Sequence, residues 1–174
     1  SAPGEIRAMQ IENELAYAAV YNYSNGLQIF DISNPADLVL KSSLNFNGYG
    51  TGLGLQGDYA YIGDNYDKLH VVDIKNAQEP VQTASLNVGG DPYGIHLTPN
   101  YAYLAASNRL VIVDIEYPYN PSQISYMNLP GTGYDIALKD NFAFLAVYNW
   151  SQGLVVADIT DPASPLQVSS LNVS

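Results

Sequence analysis

The chain contains no cysteine. That absence removes thiol catalysis, thiolate metal sites and disulfides together, and leaves the core to apolar packing alone. Histidine is nearly missing too: His70 and His96 are the two present. A three-histidine metal centre is therefore excluded, and a Ser-His-Asp arrangement would have to draw on one of these two. Basic residues are scarce, with 6 Lys plus Arg against 17 Asp plus Glu, a formal charge of −11 and a pI near 4.1. Such a surface repels phosphate backbones and anionic headgroups, so nucleic acid is not expected as a partner. No run approaches the roughly 18 apolar residues of a membrane helix, and no membrane insertion is expected. Helical periodicity is absent throughout, and so is an initiator Met. The opening SAPGE fits a mature chain after removal of a signal peptide, and fits a trimmed chain equally well.

What is present is ample core material, 47% hydrophobic residues in a chain of 174, and a repeat. Residues 27–32 read LQIFDI, residues 69–74 LHVVDI, residues 110–115 LVIVDI and residues 154–159 LVVADI. Taking the Asp of each block as a ruler gives Asp31, Asp73, Asp114 and Asp158, spaced by 42, 41 and 44 residues. Upstream the same ruler aligns LAY at 15–17, YAY at 59–61, YAY at 101–103 and FAF at 142–144. Downstream it aligns Asn45, Asn87, Asn128 and Asn172, each fourteen residues after its Asp. The fourth copy divides into four short strands, YDIAL, FAFLAVY, LVVADI and LQVSSLNV, separated by turns at 139–141, 149–153 and 161–165. Gly26 and Gly153 are read as markers of tight turns between second and third strands.

Four-stranded units of about 40 to 45 residues have the period of β-propeller blades, because a lone meander has two apolar faces and must stack between neighbours. The expected fold is all-β: a propeller of four four-stranded antiparallel blades, either closed or part of a multi-chain ring or stack. One repeat domain, 1–174, is expected, with blades at approximately 4–47, 48–90, 91–131 and 132–174. Val111 and Val113 would face one neighbouring blade and Ile112 the other, and the Asp that follows would cap the turn beyond the strand.

These blocks resemble the LVIVD repeat family, whose name residues 110–114 spell. The resemblance covers essentially the whole chain and implies a propeller fold and a secreted or surface-associated protein. It brings no catalytic residues. Leu38 departs from the Pro80, Pro121 and Pro165 of the other copies, and Met127 from Leu44, Leu86 and Leu171.

Chemistry is sparse. The innermost strands carry Ala8, Gly52, Gly94 and Asp135 at one equivalent position, where crowding near the axis explains the small residues. Asp135 breaks that pattern. With His96, Tyr93 and Tyr134, and with Gln10 and Arg7 nearby, it marks the axial mouth as the candidate site for a carbohydrate or other small ligand, conceivably with hydrolysis. The run Asp64-Asn65-Tyr66-Asp67 is read as a polar hairpin tip, lacking the spacing and Gly of an EF-hand loop. His70 lies in an LVIVD-type strand and is read as a packed residue. No catalytic residues, metal site or cofactor are assigned. Sequons at Asn22, Asn149 and Asn172 are candidate N-glycan sites. The preferred functional expectation is a non-catalytic scaffold, extracellular or on the cell surface, acting in self-assembly or adhesion. Self-association would run through the terminal blades.

Overall fold

A computed structural model describes residues 4–150 and 152–173. Each repeat builds one antiparallel meander. Blade one comprises β1 (Glu5–Glu12), β2 (Leu15–Tyr21), β3 (Leu27–Asp31) and β4 (Val39–Leu44). Blade two comprises β5 (Gly50–Gln56), β6 (Tyr59–Asp64), β7 (Lys68–Asp73) and β8 (Val81–Asn87). Blade three comprises β9 (Pro92–Leu97), β10 (Tyr101–Ala106), β11 (Arg109–Asp114) and β12 (Ser122–Asn128). Blade four comprises β13 (Thr132–Lys139), β14 (Phe142–Tyr148), β15 (Leu154–Asp158) and β16 (Leu166–Leu171). Within every sheet the strand order follows the chain, and no strand is exchanged between sheets.

Local chemistry explains where the strands stop. The Asp that closes each LVIVD block accepts the backbone N–H two residues on: Asp31 from Ser33 at 3.0 Å, Asp73 from Lys75 at 2.9 Å, Asp114 from Glu116 at 2.9 Å and Asp158 from Thr160 at 2.8 Å. These are Asx turns, and they fold the chain away from the ladder. The hydroxyls of Ser33 and Thr160 add a second bond to Asp31 and Asp158, holding both carboxyls below the ordinary range. A bulge recurs in the pairing of the third and fourth strands of each blade, at Ile29/Phe30, Val71/Val72, Ile112/Val113 and Val156/Ala157. In the first hairpins, Asn13, Gly57 and Asp140 take positive φ values of 55°, 56° and 53°.

Strand alternation gives each blade two faces, and the core consists of three interfaces between consecutive blades. Tyr17, Ala19, Leu27 and Ile29 of blade one meet Ala60, Ile62 and Val72 of blade two. Tyr61, Leu69 and Val71 meet Ala102, Leu104, Val111 and Val113. Tyr103, Ala105, Leu110 and Ile112 meet Ala143, Leu145, Val155 and Ala157. Val111 and Val113 therefore face blade two and Ile112 faces blade four, on opposite sides of one strand. Every blade has a forward face, carrying the two aromatic positions' second ring, and a backward face, carrying the Ala between them.

Near the axis the innermost strands approach so closely that a Cβ on Gly52 would lie 2.6 Å from the carbonyl oxygen of Tyr93, and one on Gly94 would lie 2.7 Å from Cα of Asp135. Thr51 Oγ1 donates to the Pro92 carbonyl at 2.6 Å across the same junction. Two glycines have a different cause from the one expected. Neither Gly26 nor Gly153 has positive φ. The ring of Phe46 lies over Gly26, and Val173 lies over Gly153, so a side chain there would collide with packing.

An apolar cluster joins each consecutive pair of blades, and among the described residues none joins blades one and four, so the four sheets form an open arc. Met9 shows the consequence. It occupies the register position of Leu53 and Ile136, which are 4% and 5% exposed, yet Met9 is 55% exposed. Ile136→Ala should cost about 3 kcal/mol of unfolding free energy, while Met9→Ala should cost less than about 1 kcal/mol in dilute solution. Urea denaturation of the two variants checks the difference.

Candidate functional site

The residues singled out in the sequence fall at three separate places. Tyr93 and Tyr134 come together, with ring centroids 5.3 Å apart, at the end of the axis where the innermost strands begin. With Arg7, Tyr21 and Thr51 they line a pocket of about 160 Å³ that draws on all four blades. His96 lies near the other end of its strand, in a second depression of about 210 Å³ with Gln10 and Leu55. Gln10 is occupied there: its Oε1 accepts the Leu55 N–H at 3.0 Å and its Nε2 donates to the Leu53 carbonyl at 3.3 Å, stapling β1 to β5. Asp135 joins neither group. It pairs with Ala146 on the forward face of blade four, solvent-exposed, with Oδ1 accepting the N–H of Ile136 at 2.9 Å.

The tyrosine end is larger than the sequence suggested. Tyr49 stands beside Tyr21, Tyr23 and Tyr66 at centroid distances of 4.7, 5.8 and 6.4 Å, and Tyr148 lies 6.4 Å from Tyr134. The Arg7 guanidinium sits 4.8 Å above the Tyr21 ring and pairs with Glu5 at 2.9 Å. Tyr93 donates its hydroxyl to Asp91 at 3.1 Å; burial, then the Asp91 charge, push its phenol up to about 12. Burial likewise raises the Asp91 carboxyl. Aligning the four repeats could have found this shelf, since Tyr21 and Tyr148 close equivalent second strands, Tyr93 and Tyr134 open equivalent innermost strands, and Tyr23, Tyr49 and Tyr66 lie in the adjoining loops.

The hairpin at 64–67 is not simply a polar tip. Asp64 is buried, and its Oδ1 accepts the N–H groups of Tyr66 and Lys68, both at 2.9 Å. Its Oδ2 lies 2.9 Å from Nε2 of His70, which is also buried and stacks on Phe46 at 4.2 Å. An Asp-His pair resembles half of a catalytic triad, but here the ring is covered by Phe46 and its Nδ1 is buried without a partner. A substrate has no approach to it. Burial pushes the Asp64 carboxyl up, but the bonds from His70, Tyr66 and Lys68 outweigh it and leave it below the ordinary range. No group of three or more His, Asp or Glu suited to a metal occurs among the described residues, and no helix is long and apolar enough to cross a membrane.

The sequon residues differ in setting. Asn22 and Asn149 are half-buried: Asn22 Oδ1 accepts the Ser24 N–H at 2.9 Å, and Asn149 Nδ2 donates to the Pro130 carbonyl. Asn172 is exposed. Ser151 and Ser174, the third positions of two sequons, lie outside the described residues.

The two end faces are the other unusual surfaces. On blade one, Ile6, Met9, Ile11, Ala16, Phe30 and Leu38 line much of an apolar pocket of about 250 Å³. On blade four, Val173 is 70% exposed, whereas Phe46, Val88 and Leu129 at its repeat position are 8%, 1% and 6% exposed.

The LVIVD repeat model matches at residues 4–45, 47–88, 89–132 and 130–173. The chain belongs to the LVIVD repeat family. No functionally curated protein matches it. Among solved structures, a Lactobacillus plantarum protein is similar with a TM-score of 0.82 at 15% identity, over 96% of this chain and 57% of that one. The β-propeller domain of Cps50 (Swd1) from Myceliophteria thermophila gives a TM-score of 0.72 at 14% identity, over 92% of this chain and 56% of that one. The periplasmic gluconolactonase PpgL of Pseudomonas aeruginosa gives 0.77 at 16% identity, over 97% and 57%. At these identities the likeness shows the propeller fold. This LVIVD chain spans a little over half the length of each of those propellers.

Because the folded-state pKa of Asp64 is depressed, the stability it contributes is present above the ordinary carboxylate pKa and is lost as pH falls through the lower folded value. Asp64→Val or His70→Val alone should cost about 3 kcal/mol, since each strands a buried partner. The double variant should cost clearly less than the sum, because blade four holds Val147 and Val155 at these same positions. Denaturation midpoints at neutral pH, and at pH 3 for the native protein, check both statements.

Proposed function

We propose that this protein is a non-catalytic scaffold, extracellular or on the cell surface, that works by packing further blades onto the open faces of blades one and four. The observation that carries the reading is the contrast between equivalent positions: Met9 and Val173 lie open where their repeat partners are sealed between blades. A contiguous apolar face of this kind gains about 25 cal/mol for each Å² removed from water, and a wet one invites association. Three similar solved structures are compatible with a larger ring, since each holds about three quarters as much chain again beyond the matched part, while a computationally designed protein is matched over 92% of its own length. The sealed Asp64–His70 pair and the separation of His96 from Asp135 support a protein without turnover. The sequons at Asn22, Asn149 and Asn172 are compatible with an extracellular setting.

A second reading rests on the tyrosine shelf. A cation entering the pocket meets Arg7, and an anion is opposed by the net charge of −11, so a neutral ligand with an apolar face and several hydroxyls suits it best. A pyranose ring of a glycan has that chemistry, and rings tilted by 36° to 69° offer it several stacking faces.

Three measurements separate these readings. Met9→Glu and Val173→Glu, both at exposed positions, should fold normally and reduce association by about tenfold or more in sedimentation. A panel of ester, lactone and glycoside substrates should show no turnover; hydrolysis that vanishes in His96→Ala or Asp135→Ala would overturn the scaffold reading. Saturation transfer from the protein to methyl β-galactoside or cellotetraose, lost in Tyr134→Ala, would favour the sugar-binding reading.

A further inference from the structure

Resting on the scaffold reading, we infer that the occupant of the open faces is a second copy of this chain, docked head to tail and keyed by an ion pair between Asp135 and Arg7. The two end faces are halves of the same interface that recurs inside the chain. Phe144, Ala146, Leu154 and Val156 occupy the register positions of Tyr17, Ala19, Leu27 and Ile29, which are packed against blade two. Ala16, Ala18 and Phe30 occupy the positions of Ala60, Ile62 and Val72, which receive that packing. Blade four of one copy therefore presents to blade one of the next what blade one presents to blade two.

Charge identifies the partner. The forward position of the innermost strand is Ala8, Gly52 or Gly94 in the first three blades and Asp135 in the fourth. Inside the chain this position abuts the first residues of the next innermost strand: Gly52 abuts Tyr93, and Gly94 abuts Asp135 and Ile136. By repeat equivalence, Asp135 would abut the backbone of Arg7, Ala8 and Met9 of the second copy, within reach of the Arg7 side chain. Arg7 holds the place of Thr51, Tyr93 and Tyr134 and is the one cation among them. The lone anion at the forward position thus faces the lone cation at the position it meets. A carboxylate does not fit the strand contact that glycine allows, so the junction between copies is wider than those inside the chain, and the long Arg7 side chain spans the difference. Arg7 exchanges an exposed partner, Glu5, for one at the edge of an apolar interface, where screening is weaker. A pair of this kind selects the partner and fixes its register while the apolar faces supply most of the affinity.

Charge reversal tests the pairing directly, using sedimentation velocity over a wide concentration range and melting curves as a folding control. The native chain should sediment as a species larger than 18.9 kDa. Arg7→Glu and Asp135→Lys should each weaken assembly by about tenfold or more, and the double reversal should recover most of the loss. Mixing the two single variants should also recover one intact type of junction. Assembly that disappears in Met9→Glu but ignores both charge reversals would keep the scaffold reading and overturn the ion pair. A native chain that stays monomeric at every concentration would overturn the second copy as occupant.

Discussion

A four-stranded meander with apolar side chains on both faces is stable only between two neighbours, and this constraint governs the whole molecule. No cysteine relieves it, and among the described residues the core consists of contacts between consecutive sheets. The Asx turns after each LVIVD strand, the recurrent bulge before the blade's outer edge and the glycines near the axis all serve the same end. They shape each sheet so that a forward face of Tyr, Ala, Leu and Ile type meets a backward face of Ala, Leu and Val type. Two faces of the arc have no such neighbour within the chain. Their composition follows from what they would pack against, as the apolar lining around Met9 and Phe30 shows.

The repeat alone makes this legible. Asp31, Asp73, Asp114 and Asp158 set the period, and strand alternation then placed Val111, Ile112 and Val113 on their correct sides. Sites were harder to read because they depend on distances between repeats. Its place on an innermost strand points Asp135 to the axial mouth. The bulge between Gly133 and Asp135, with the alternation that follows it, instead turns it onto the blade face. His96 and Tyr93 are three residues apart in one strand, a rise of about 10 Å, so they serve opposite ends of the axis. The small residue at Gly26 makes sense only once the Phe46 ring is seen above it. That contact joins residues twenty apart through a fold the local sequence does not announce.

Phe46 leads to the feature that distinguishes one junction from the others. At the two backward-face positions where blades three and four carry Ala106 with Val111 and Val147 with Val155, blade two carries Asp64 with His70. Burying that pair costs desolvation, which the bonds from two backbone N–H groups and the imidazole offset. The forward face of blade one answers with Phe46, stacked on the imidazole, and Gly26, vacated to hold it. Blades two, three and four offer Val88, Leu129 and Val173 where Phe46 stands, and blades two and three carry Lys68 and Arg109 where blades one and four carry Gly26 and Gly153. A blade-two backward face placed against any other forward face would leave the imidazole without its covering ring. Connectors of three to five residues already fix the order of the blades along the chain, and a polar pair that one neighbour covers and others do not adds to the preference for that junction. The Asp64–His70–Phe46 set does this inside the chain, as opposite charges on Asp135 and Arg7 would do between chains.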